Sequence, residues 1–338
     1  MARRRFPTGS ASGDDGVPAV SVVVPARNST ATIEKLFAAL DRSTFTGDWE
    51  VIVVDDASSD ATPDLARAWG ARVVQLEVQS GPAASRNAGI AACGAQLVAF
   101  TDADCEPSPQ WLGAIVRALD DADLVTGPVQ PVPDVPRGPF DRTLHIAHPS
   151  PLFETANLAV RRELAERVGG FEPFAPVETG GRVGLRPSVA EGHFGEDVVF
   201  GWRARRLGAR TAFAEDALVH HAVFPRRARG YVAERWRLRF FPALVREVPE
   251  LRSRLPMRFF LARHTALFDL AVAGTAAALA GRRRWPLVAV APYLYDRLAW
   301  RAAWRRSVAS RNAAVVAGDA VGFLALVRGS IAARRLLL

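Results

Sequence analysis

The chain has 338 residues, 49% of them apolar, so it can bury one large core or two modest ones and is not a disordered protein. Its 43 basic and 35 acidic residues leave a net charge of +8, and Lys35 is the single lysine. This excess favours an acidic partner: nucleic acid, anionic lipid or a phosphorylated substrate. The two cysteines, Cys93 and Cys105, lack the spacing of a metal site and do not indicate a disulfide framework.

Residues 1–16 are rich in Arg, Gly, Ser and Asp, which predicts a disordered tail. Three arginines follow Ala2, as in the charged start of a signal peptide, but no apolar segment comes after them. We therefore expect the catalytic part of the chain to stay in the cytoplasm.

Runs of β-branched residues at 20–24 and 51–54 predict two buried strands. Further strands are expected from Val73 and over 97–100, and apolar spacing predicts helices between them. These predicted helices cover 30–41, 62–69, 81–89 and 108–119. Strands and helices that alternate in this way predict an α/β fold with a doubly wound, mostly parallel sheet.

Polar residues follow three of the predicted strands, at Pro25–Asn28, Asp55–Asp56 and Asp102–Asp104. In an extended chain, Asp102 and Asp104 point to the same side and can converge on one cation. Two carboxylates at an open sheet edge suit Mg²⁺ or Mn²⁺ that keeps free positions for phosphate oxygens. The alternative is that the polar residues after these three strands belong to solvated turns without a ligand. There is no Walker A or G-x-G-x-x-G motif, which disfavours a simple ATPase or dehydrogenase.

Four segments occur in a specific order and spacing: Val-Val-Val-Pro-Ala-Arg-Asn28, Val-Val-Asp-Asp-Ala-Ser-Ser-Asp60, Gly-Pro-Ala-Ala-Ser-Arg-Asn-Ala-Gly89 and Phe-Thr-Asp-Ala-Asp104. Together they resemble the family 2 glycosyltransferases, which have the GT-A fold and invert the configuration at the anomeric carbon of the transferred sugar. The resemblance covers roughly the first two thirds of the chain. It implies transfer of a sugar from a nucleotide-sugar donor.

The resemblance also implies roles for individual residues. Asp56 would hydrogen-bond the nucleotide base, commonly uracil, and Arg86 would approach the donor diphosphate. Asp102 would lie near the sugar and ribose, and Asp104 would bind the metal, Mn²⁺ or Mg²⁺. Pro25 and Ala26 would line the base and ribose pocket, and Asn28 belongs to the same donor-binding set. For Arg86, an ion pair on the helix face is the alternative.

Residues 123–130 predict another strand, followed by a proline-rich connection over 131–139. The segments 154–162 and 168–171 resemble the acceptor side of the family, where Asn157 would follow a strand and Gly169-Gly170 would end a short helix. The residues 172–195 are rich in Gly and Pro, and we expect a mobile loop there.

Glu196 and Asp197 begin a predicted helix directly after this loop. Acidic residues at a helix start are favoured by the helix dipole, so capping alone is one explanation. The resemblance implies that Asp197 is the catalytic base and that Glu196 lies on the acceptor side. One base without a covalent nucleophile predicts direct displacement with inversion.

The segment 217–223 predicts a strand that carries His220 and His221. Because side chains alternate along a strand, one of the two histidines faces the site. We predict His220 as a metal ligand beside Asp104, as a similarly placed histidine is in some GT-A enzymes. A polar strand end without a ligand role is the alternative.

The segment 226–263 mixes arginines with aromatic residues. Arg235-Trp236 stands where processive synthases of the family carry a Gln-x-x-Arg-Trp motif, and we place both residues on the acceptor side. Val232 replaces the glutamine, which disfavours a polysaccharide synthase. No recognition motif supports nucleic-acid binding.

Apolar runs follow at 266–280, 286–295 and 313–327, each shorter than the ~20 residues of a membrane span. We predict an interfacial or re-entrant hairpin, held by arginines and tryptophans against anionic lipid on the cytoplasmic side of the membrane. A packed helical appendage is the alternative. A lipid-linked acceptor or a cell-envelope glycan would suit such a location.

The sequence therefore predicts a GT-A domain over 17–225 and a helical, membrane-associating extension over 226–338. The expected reaction is metal-dependent transfer from a nucleotide-sugar, most simply a UDP-sugar, to an acceptor hydroxyl. A nucleotidyltransferase is one alternative, but the glycine-rich loop with a lysine that it needs is absent. The other is a non-catalytic protein that binds lipid or anions on a GT-A scaffold.

Overall fold

The computed structural model describes residues 17–172, 194–298 and 308–338. The predicted tail 1–16 and most of the predicted loop 172–195 lie outside the described residues. The chain divides into two compact units, with a break after Phe224 and with residues 137–141 assigned to the second unit. That the first unit carries the transferase and the second the membrane contact stays a prediction.

The first unit is built on a seven-stranded sheet in the order β3-β2-β1-β4-β8-β6-β9, which confirms the predicted mixed α/β fold. Strands β1, β2, β3 and β4 run parallel, and β8 is antiparallel to both of its neighbours, β4 and β6. A second sheet has the order β5-β10-β7. The strands are β1 (Val20–Ala26), β2 (Trp49–Asp55), β3 (Arg72–Gln75), β4 (Leu97–Phe100), β5 (Cys105–Pro107), β6 (Leu124–Thr126), β7 (Val129–Pro131), β8 (Leu158–Arg161), β9 (Thr211–Phe213) and β10 (Val219–His221).

Helices cover this sheet with apolar faces that recur at helical spacing. Ile33, Leu36 and Phe37 of the first helix are fully buried, and the valines of β1 lie at the centre of the core. Burial on both faces explains why these strands are continuous apolar runs. The helices of the first unit are α1 (Ile33–Leu40), α2 (Thr62–Ala68), α3 (Gly81–Ala92), α4 (Trp111–Asp121), α5 (Arg162–Val168) and α6 (Glu196–Arg206).

Two predicted strands differ from the structure. The strand expected over 123–130 is divided between β6 and β7, which belong to different sheets. Pro128 lies at the break, and proline cannot donate a ladder hydrogen bond. The strand expected over 217–223 is limited to β10. Asn157 does not follow a strand: it lies in a short 3₁₀ turn directly before β8.

The second unit is helical. The chain end is held within this unit, because Leu338 exchanges backbone hydrogen bonds with Phe259 and Leu261 at 2.7 Å each. A buried carboxylate, Asp319, accepts hydrogen bonds from the Tyr293 hydroxyl and from Nε and Nη2 of Arg297. The helices are α7 (Ala228–Glu234), α8 (Phe241–Glu247), α9 (Arg263–Gly281), α10 (Ala291–Leu298) and α11 (Val308–Ala333).

Helices α9 and α11 are longer than the apolar runs within them, which corrects the expectation that both segments are too short to span a membrane. By length and composition, Arg263–Gly281 and Arg311–Ala333 are both able to cross a bilayer. The apolar window of α9 is 17% buried and that of α11 is 50% buried. Core helices of soluble proteins can have the same length and composition, so the two helices are weak evidence of membrane contact.

Candidate active site

The loops after β1 and β2 are tied together at the carboxyl edge of the sheet. The Asp56 amide donates to the Ala26 carbonyl at 2.9 Å, which continues the pairing of the two strands. Asn28 has a left-handed backbone with φ of 48°, and its side-chain oxygen accepts from the Ser59 amide at 2.8 Å. Pro25, Ala26 and Asn28 therefore lie at the predicted edge, and their donor-binding role stays a prediction.

Asp56 holds the start of α3. Its two carboxylate oxygens accept hydrogen bonds from the backbone amides of Ser80, at 2.6 Å, and Gly81, at 2.9 Å. An anion at a helix N-terminus is favoured by the free amides and the dipole. Asp56 is buried, so this contact alone accounts for its presence. Recognition of a base by Asp56 stays a prediction.

Asp102 and Asp104 follow β4 in a turn and not in an extended segment, because the Cys105 amide donates to the Asp102 carbonyl at 3.0 Å. This corrects the argument from strand alternation. The two side chains are nevertheless near each other, and both are partly exposed, at 31% and 28%. Burial, followed by the charge of Asp102, raises the pKa of Asp104. A nearby cation would relieve this repulsion.

His221 lies beside Asp104, with 3.7 Å between its Nε2 and the Asp104 Oδ1. Its Nδ1 lies 2.8 Å from the Ala222 carbonyl oxygen, which can only accept, so Nδ1 carries the proton of that hydrogen bond. In the neutral ring, Nε2 then presents a lone pair toward a carboxylate. A cation placed between the nitrogen and the carboxylate oxygen would be bound by both atoms.

This arrangement corrects the choice of His220 as the histidine that faces Asp104. In the antiparallel pair of β10 and β5, His221 lies opposite Cys105 and His220 lies opposite Glu106. Because successive side chains of a strand point to opposite faces, His220 is directed away from Asp104. The sequence showed that one of the two histidines faces the site, but the register of β10 decides which.

Asp104, Cys105 and His221 form a group whose ligand atoms all lie within 4.8 Å of one another. The Cys105 thiol is fully buried, and burial raises its pKa well above the usual range, so it stays protonated and is a poor ligand. The remaining pair is one carboxylate oxygen and one imidazole nitrogen. This donor set fits a divalent cation such as Mn²⁺, and the nitrogen suits it better than Mg²⁺.

Arg86 is buried between two acids. One outer nitrogen, Nη2, lies 3.2 Å from the Asp102 Oδ1, and the other, Nη1, lies 3.4 Å from the Glu196 Oε1. Its guanidinium also lies 5.6 Å from the ring centre of Phe171. The ion pair that the sequence left open is therefore present, although it joins Arg86 to two other elements. Contact of Arg86 with the donor diphosphate stays a prediction.

Asp197 is the second residue of α6, after Glu196, and the helix follows Gly195, whose φ of 78° favours glycine. Its carboxylate accepts a hydrogen bond from the Val198 amide at 2.9 Å. Burial raises the pKa of Asp197 to about 8, the charge of Glu196 adds to this rise, and Arg86 opposes it. A carboxylate with such a pKa is a strong enough base to take a proton from a hydroxyl group near neutral pH.

Two further residues of this site, Glu154 and Phe171, belong to the segments 154–162 and 168–171 that resemble the acceptor side, but the sequence did not predict a role for either. Glu154 is a further charge that raises the pKa of Asp197, and its own pKa is raised by burial. Phe171 stacks on Phe200 with ring centres 4.2 Å apart, and the Asn87 side chain binds both the amide and the carbonyl of Phe171. Their contacts could not be predicted from these segments, because the partners lie far away in the chain.

Asn157, predicted on the acceptor side, is almost completely buried. Its oxygen accepts from the Trp111 indole at 2.9 Å, and its nitrogen donates to the carbonyls of Pro128 and Ala217 at 2.9 and 2.6 Å. These bonds use both N–H groups of the amide and one lone pair of its oxygen. They favour a structural role over contact with an acceptor.

Arg235 and Trp236, also predicted on the acceptor side, belong to the second unit. Within it, Arg235 donates to the Tyr231 hydroxyl at 2.6 Å and lies 4.7 Å from the centre of that ring. Trp236 is 36% exposed. An acceptor role for the two residues stays a prediction.

The first unit thus places a carboxylate pair after β4, a histidine of β10 beside one of these acids, and an aspartate with a raised pKa at a helix start. This arrangement agrees with the GT-A fold that the sequence predicted. The family model described as Glycosyl transferase family 2 matches residues 21–174. The chain belongs to this family, which confirms the resemblance, and it is a glycosyltransferase.

Two relatives support this assignment. The chain is 30% identical over 225 residues to glycosyltransferase AglE of Haloferax volcanii, an alignment that covers 62% of this chain and 68% of AglE. It is also 30% identical over 240 residues to the pre-mycofactocin glycosyltransferase of Mycobacterium tuberculosis. That alignment covers 65% of this chain but less than half, 45%, of the relative.

Among solved structures, the mannosyltransferase PcManGT of Pyrobaculum calidifontis, in complex with GDP-Man and Mn²⁺, has a similar fold. The TM-score is 0.59 at 24% sequence identity, and the match covers 92% of this chain and 88% of PcManGT. The likeness supports the GT-A architecture of this chain.

Proposed function

We propose that the protein transfers a sugar from a nucleotide-sugar donor to an acceptor hydroxyl with inversion, and that the reaction depends on Mn²⁺ or Mg²⁺. The observation that carries the proposal is the His221–Asp104 pair, in which a nitrogen lone pair faces a carboxylate at the edge where β4 ends. Asp102 adds a second acid at that edge. A cation that also binds the donor diphosphate would offset the negative charge of the two acids.

Asp104 and His221 would hold the cation. When bound, the cation neutralises the charge that develops on the leaving diphosphate. The protein supplies the remaining chemistry. Asp197, with its pKa raised to about 8, accepts the proton of the acceptor hydroxyl as the oxygen attacks the anomeric carbon. Because Asp197 acts as a base and the sugar is transferred directly to the acceptor oxygen, a single displacement leads to inversion.

We propose a UDP-sugar as the donor, from the resemblance that links Asp56 to a uracil base. The backbone contacts of Asp56 leave other lone pairs of its carboxylate for a base. A GDP-sugar is the competing donor, since PcManGT was solved with GDP-Man. At 24% identity that structure supports the fold and not the donor.

We propose that the second unit keeps the enzyme on the cytoplasmic side of the membrane, so that its acceptor is lipid-linked or a cell-envelope glycan. Helix α9 leaves most of its apolar window exposed, and Arg282, Arg283 and Arg284 follow it directly. Beyond the arginines, Trp285 is 71% exposed and Val288 is 70% exposed. Apolar side chains beside clustered arginines suit an anionic bilayer surface.

Calorimetry tests the donor site. We would titrate UDP, GDP and dTDP into the purified protein with and without Mn²⁺, and repeat this with Asp104→Ala. We expect binding of UDP that requires the metal and is lost in the variant. Preference for GDP would change the donor and leave the mechanism in place. If no nucleotide binds to the folded protein, in detergent as well as in buffer, the protein is a non-catalytic relative.

A further inference from the structure

Arg86 contacts both acidic parts of the site, Asp102 after β4 and Glu196 at the start of α6. Its side chain is 6% exposed, and that of Glu196 is 10% exposed. A buried guanidinium requires charged or hydrogen-bonding partners, because water no longer solvates it. Arg86 satisfies this requirement with one acid on each outer nitrogen.

The surroundings of Arg86 fix its position. Helix α3 carries both Arg86 and, one residue later, Asn87, which binds the amide and the carbonyl of Phe171. The Phe171 ring in turn lies beside the guanidinium and stacks on Phe200 of α6. Helix α3 is thus joined to α6 directly by the Arg86–Glu196 ion pair, and indirectly through Phe171, which Asn87 binds and which stacks on Phe200.

We propose that Arg86 is a positioning residue for the transfer reaction: its planar guanidinium joins Asp102 to Glu196 and so holds Asp197, the neighbour of Glu196, at a set position relative to the donor edge. The proposal rests on the proposed function, in which Asp197 is the base. Under this proposal, the main role of Arg86 is to position these acids, and not to contact the donor diphosphate as the resemblance implied. A fork with two parallel donors can span two carboxylates, whereas a lysine presents a single point charge.

In the same arrangement, Arg86 also affects the pKa of Asp197. In the part of the chain that the structure describes, the charges that act on this carboxyl include Glu196 from α6, Glu154 from the segment before β8, and Arg86 from α3. The two glutamates raise the pKa of Asp197 and Arg86 lowers it. Removal of Arg86 and removal of the Glu196 charge must therefore shift the ionisation of Asp197 in opposite directions.

We would measure the ionisation of Asp197 directly, by carbon-13 NMR of protein labelled at the aspartate carboxyls, with Asp197→Asn to assign its signal. The same samples give kcat as a function of pH. In Arg86→Ala we expect the pKa and the rising limb of kcat to move up by about one pH unit, and kcat to fall by roughly 100-fold. In Glu196→Gln we expect the pKa of Asp197 and the rising limb of kcat to move down by about one pH unit.

Arg86→Lys separates charge from geometry. It keeps the cation, so the pKa of Asp197 should stay near that of the natural protein, but it loses the fork, so kcat should lie between those of the natural protein and Arg86→Ala. Arg67→Ala is the matched control, because it removes an exposed arginine that is paired with Asp64 on α2. We expect no change in this control. If Arg86→Ala does not fold, Arg86→Lys and Glu196→Gln still test the proposal.

The proposal is overturned if the signal of Asp197 titrates at the same pH in Glu196→Gln, in the Arg86 variants and in the natural protein. It is also overturned if Arg86→Ala raises the KM for the donor without a change in kcat, since Arg86 would then contact the diphosphate. Opposite shifts in a protein that transfers no sugar would support the position of Arg86 and contradict the proposed function instead.

Discussion

The two compact units of this protein use charge in different ways. In the first unit, acids lie at the ends of buried strands or at helix starts, and each has a defined partner: His221 for Asp104, and Arg86 for Asp102 and Glu196. In the second unit, the arginines after α9 adjoin exposed apolar side chains. In the first unit, the function we propose depends on individual ion pairs. In the second unit, the proposed membrane binding depends on the sum of many weak contacts with lipid.

Loss of one partner in the first unit should therefore have a large effect on activity. In Asp197→Asn we expect kcat to fall by ~10²–10⁴-fold, because an amide cannot accept the proton of the acceptor hydroxyl. Steady-state kinetics would measure this. Nucleotide binding in the same variant is the control and should be unchanged. A variant that keeps full activity would rule out Asp197 as the base.

The same variant should be more stable than the natural protein at high pH. The folded pKa of Asp197, about 8, lies above the ordinary value of 3.8, so ionisation opposes folding. This loss of stability is absent below pH ~4, grows as the pH rises, and is complete above pH ~8. Denaturant unfolding should show that Asp197→Asn gains on the order of 1–3 kcal/mol at pH 9 and little at pH 4. An equal gain at both values would contradict the raised pKa.

In the second unit, several arginines must change together. Replacement of Arg282, Arg283 and Arg284 by glutamine should weaken binding to vesicles with anionic lipid by roughly 100-fold, since each basic residue near the surface contributes about 1 kcal/mol. Co-sedimentation with neutral and anionic vesicles would measure the difference. The single variant Arg283→Gln should lose only about fivefold. Equal binding to both kinds of vesicle would refute an electrostatic contact.

The pair of neighbouring histidines offers a sharper test within the first unit. His221→Ala should weaken Mn²⁺-dependent nucleotide binding by about 10–100-fold, the usual cost of a disturbed metal site. His220→Ala is the matched control, one residue away and directed to the other face of β10, and should bind nearly as the natural protein does. Calorimetry with UDP and Mn²⁺ distinguishes them. If His220→Ala weakened binding more than His221→Ala, His220 would be the metal ligand.

The smallest effect on activity is expected for Asn157. Asn157→Ala leaves the Trp111 indole and the Ala217 carbonyl without this partner in the core and removes one of the two hydrogen bonds to the Pro128 carbonyl, which should lower the unfolding free energy by about 2–4 kcal/mol. At a temperature where the variant stays folded, its KM for the acceptor should be close to that of the natural protein. A selective rise in that KM, with stability unchanged, would return Asn157 to the acceptor site.

The amino-acid sequence by itself determined the alternation of strands and helices, the family, and the acids after β2 and β4. These features depend on local patterns: valine runs that suit buried strands, and motifs whose residues are close together in the chain. The choice between His220 and His221 did not follow from the sequence, because the register of β10 against β5 decides which side chain faces Asp104.

The partners of Arg86 and the raised pKa of Asp197 were likewise decided only by the tertiary structure. Arg86 lies 110 residues from Glu196 in the chain, and no local pattern specifies that the two meet. Burial raises the pKa of Asp197, and burial arises only when α3, α6 and the segment around Glu154 pack together. The sequence supplied the chemical groups, and the packing of distant elements determined their distances and charges.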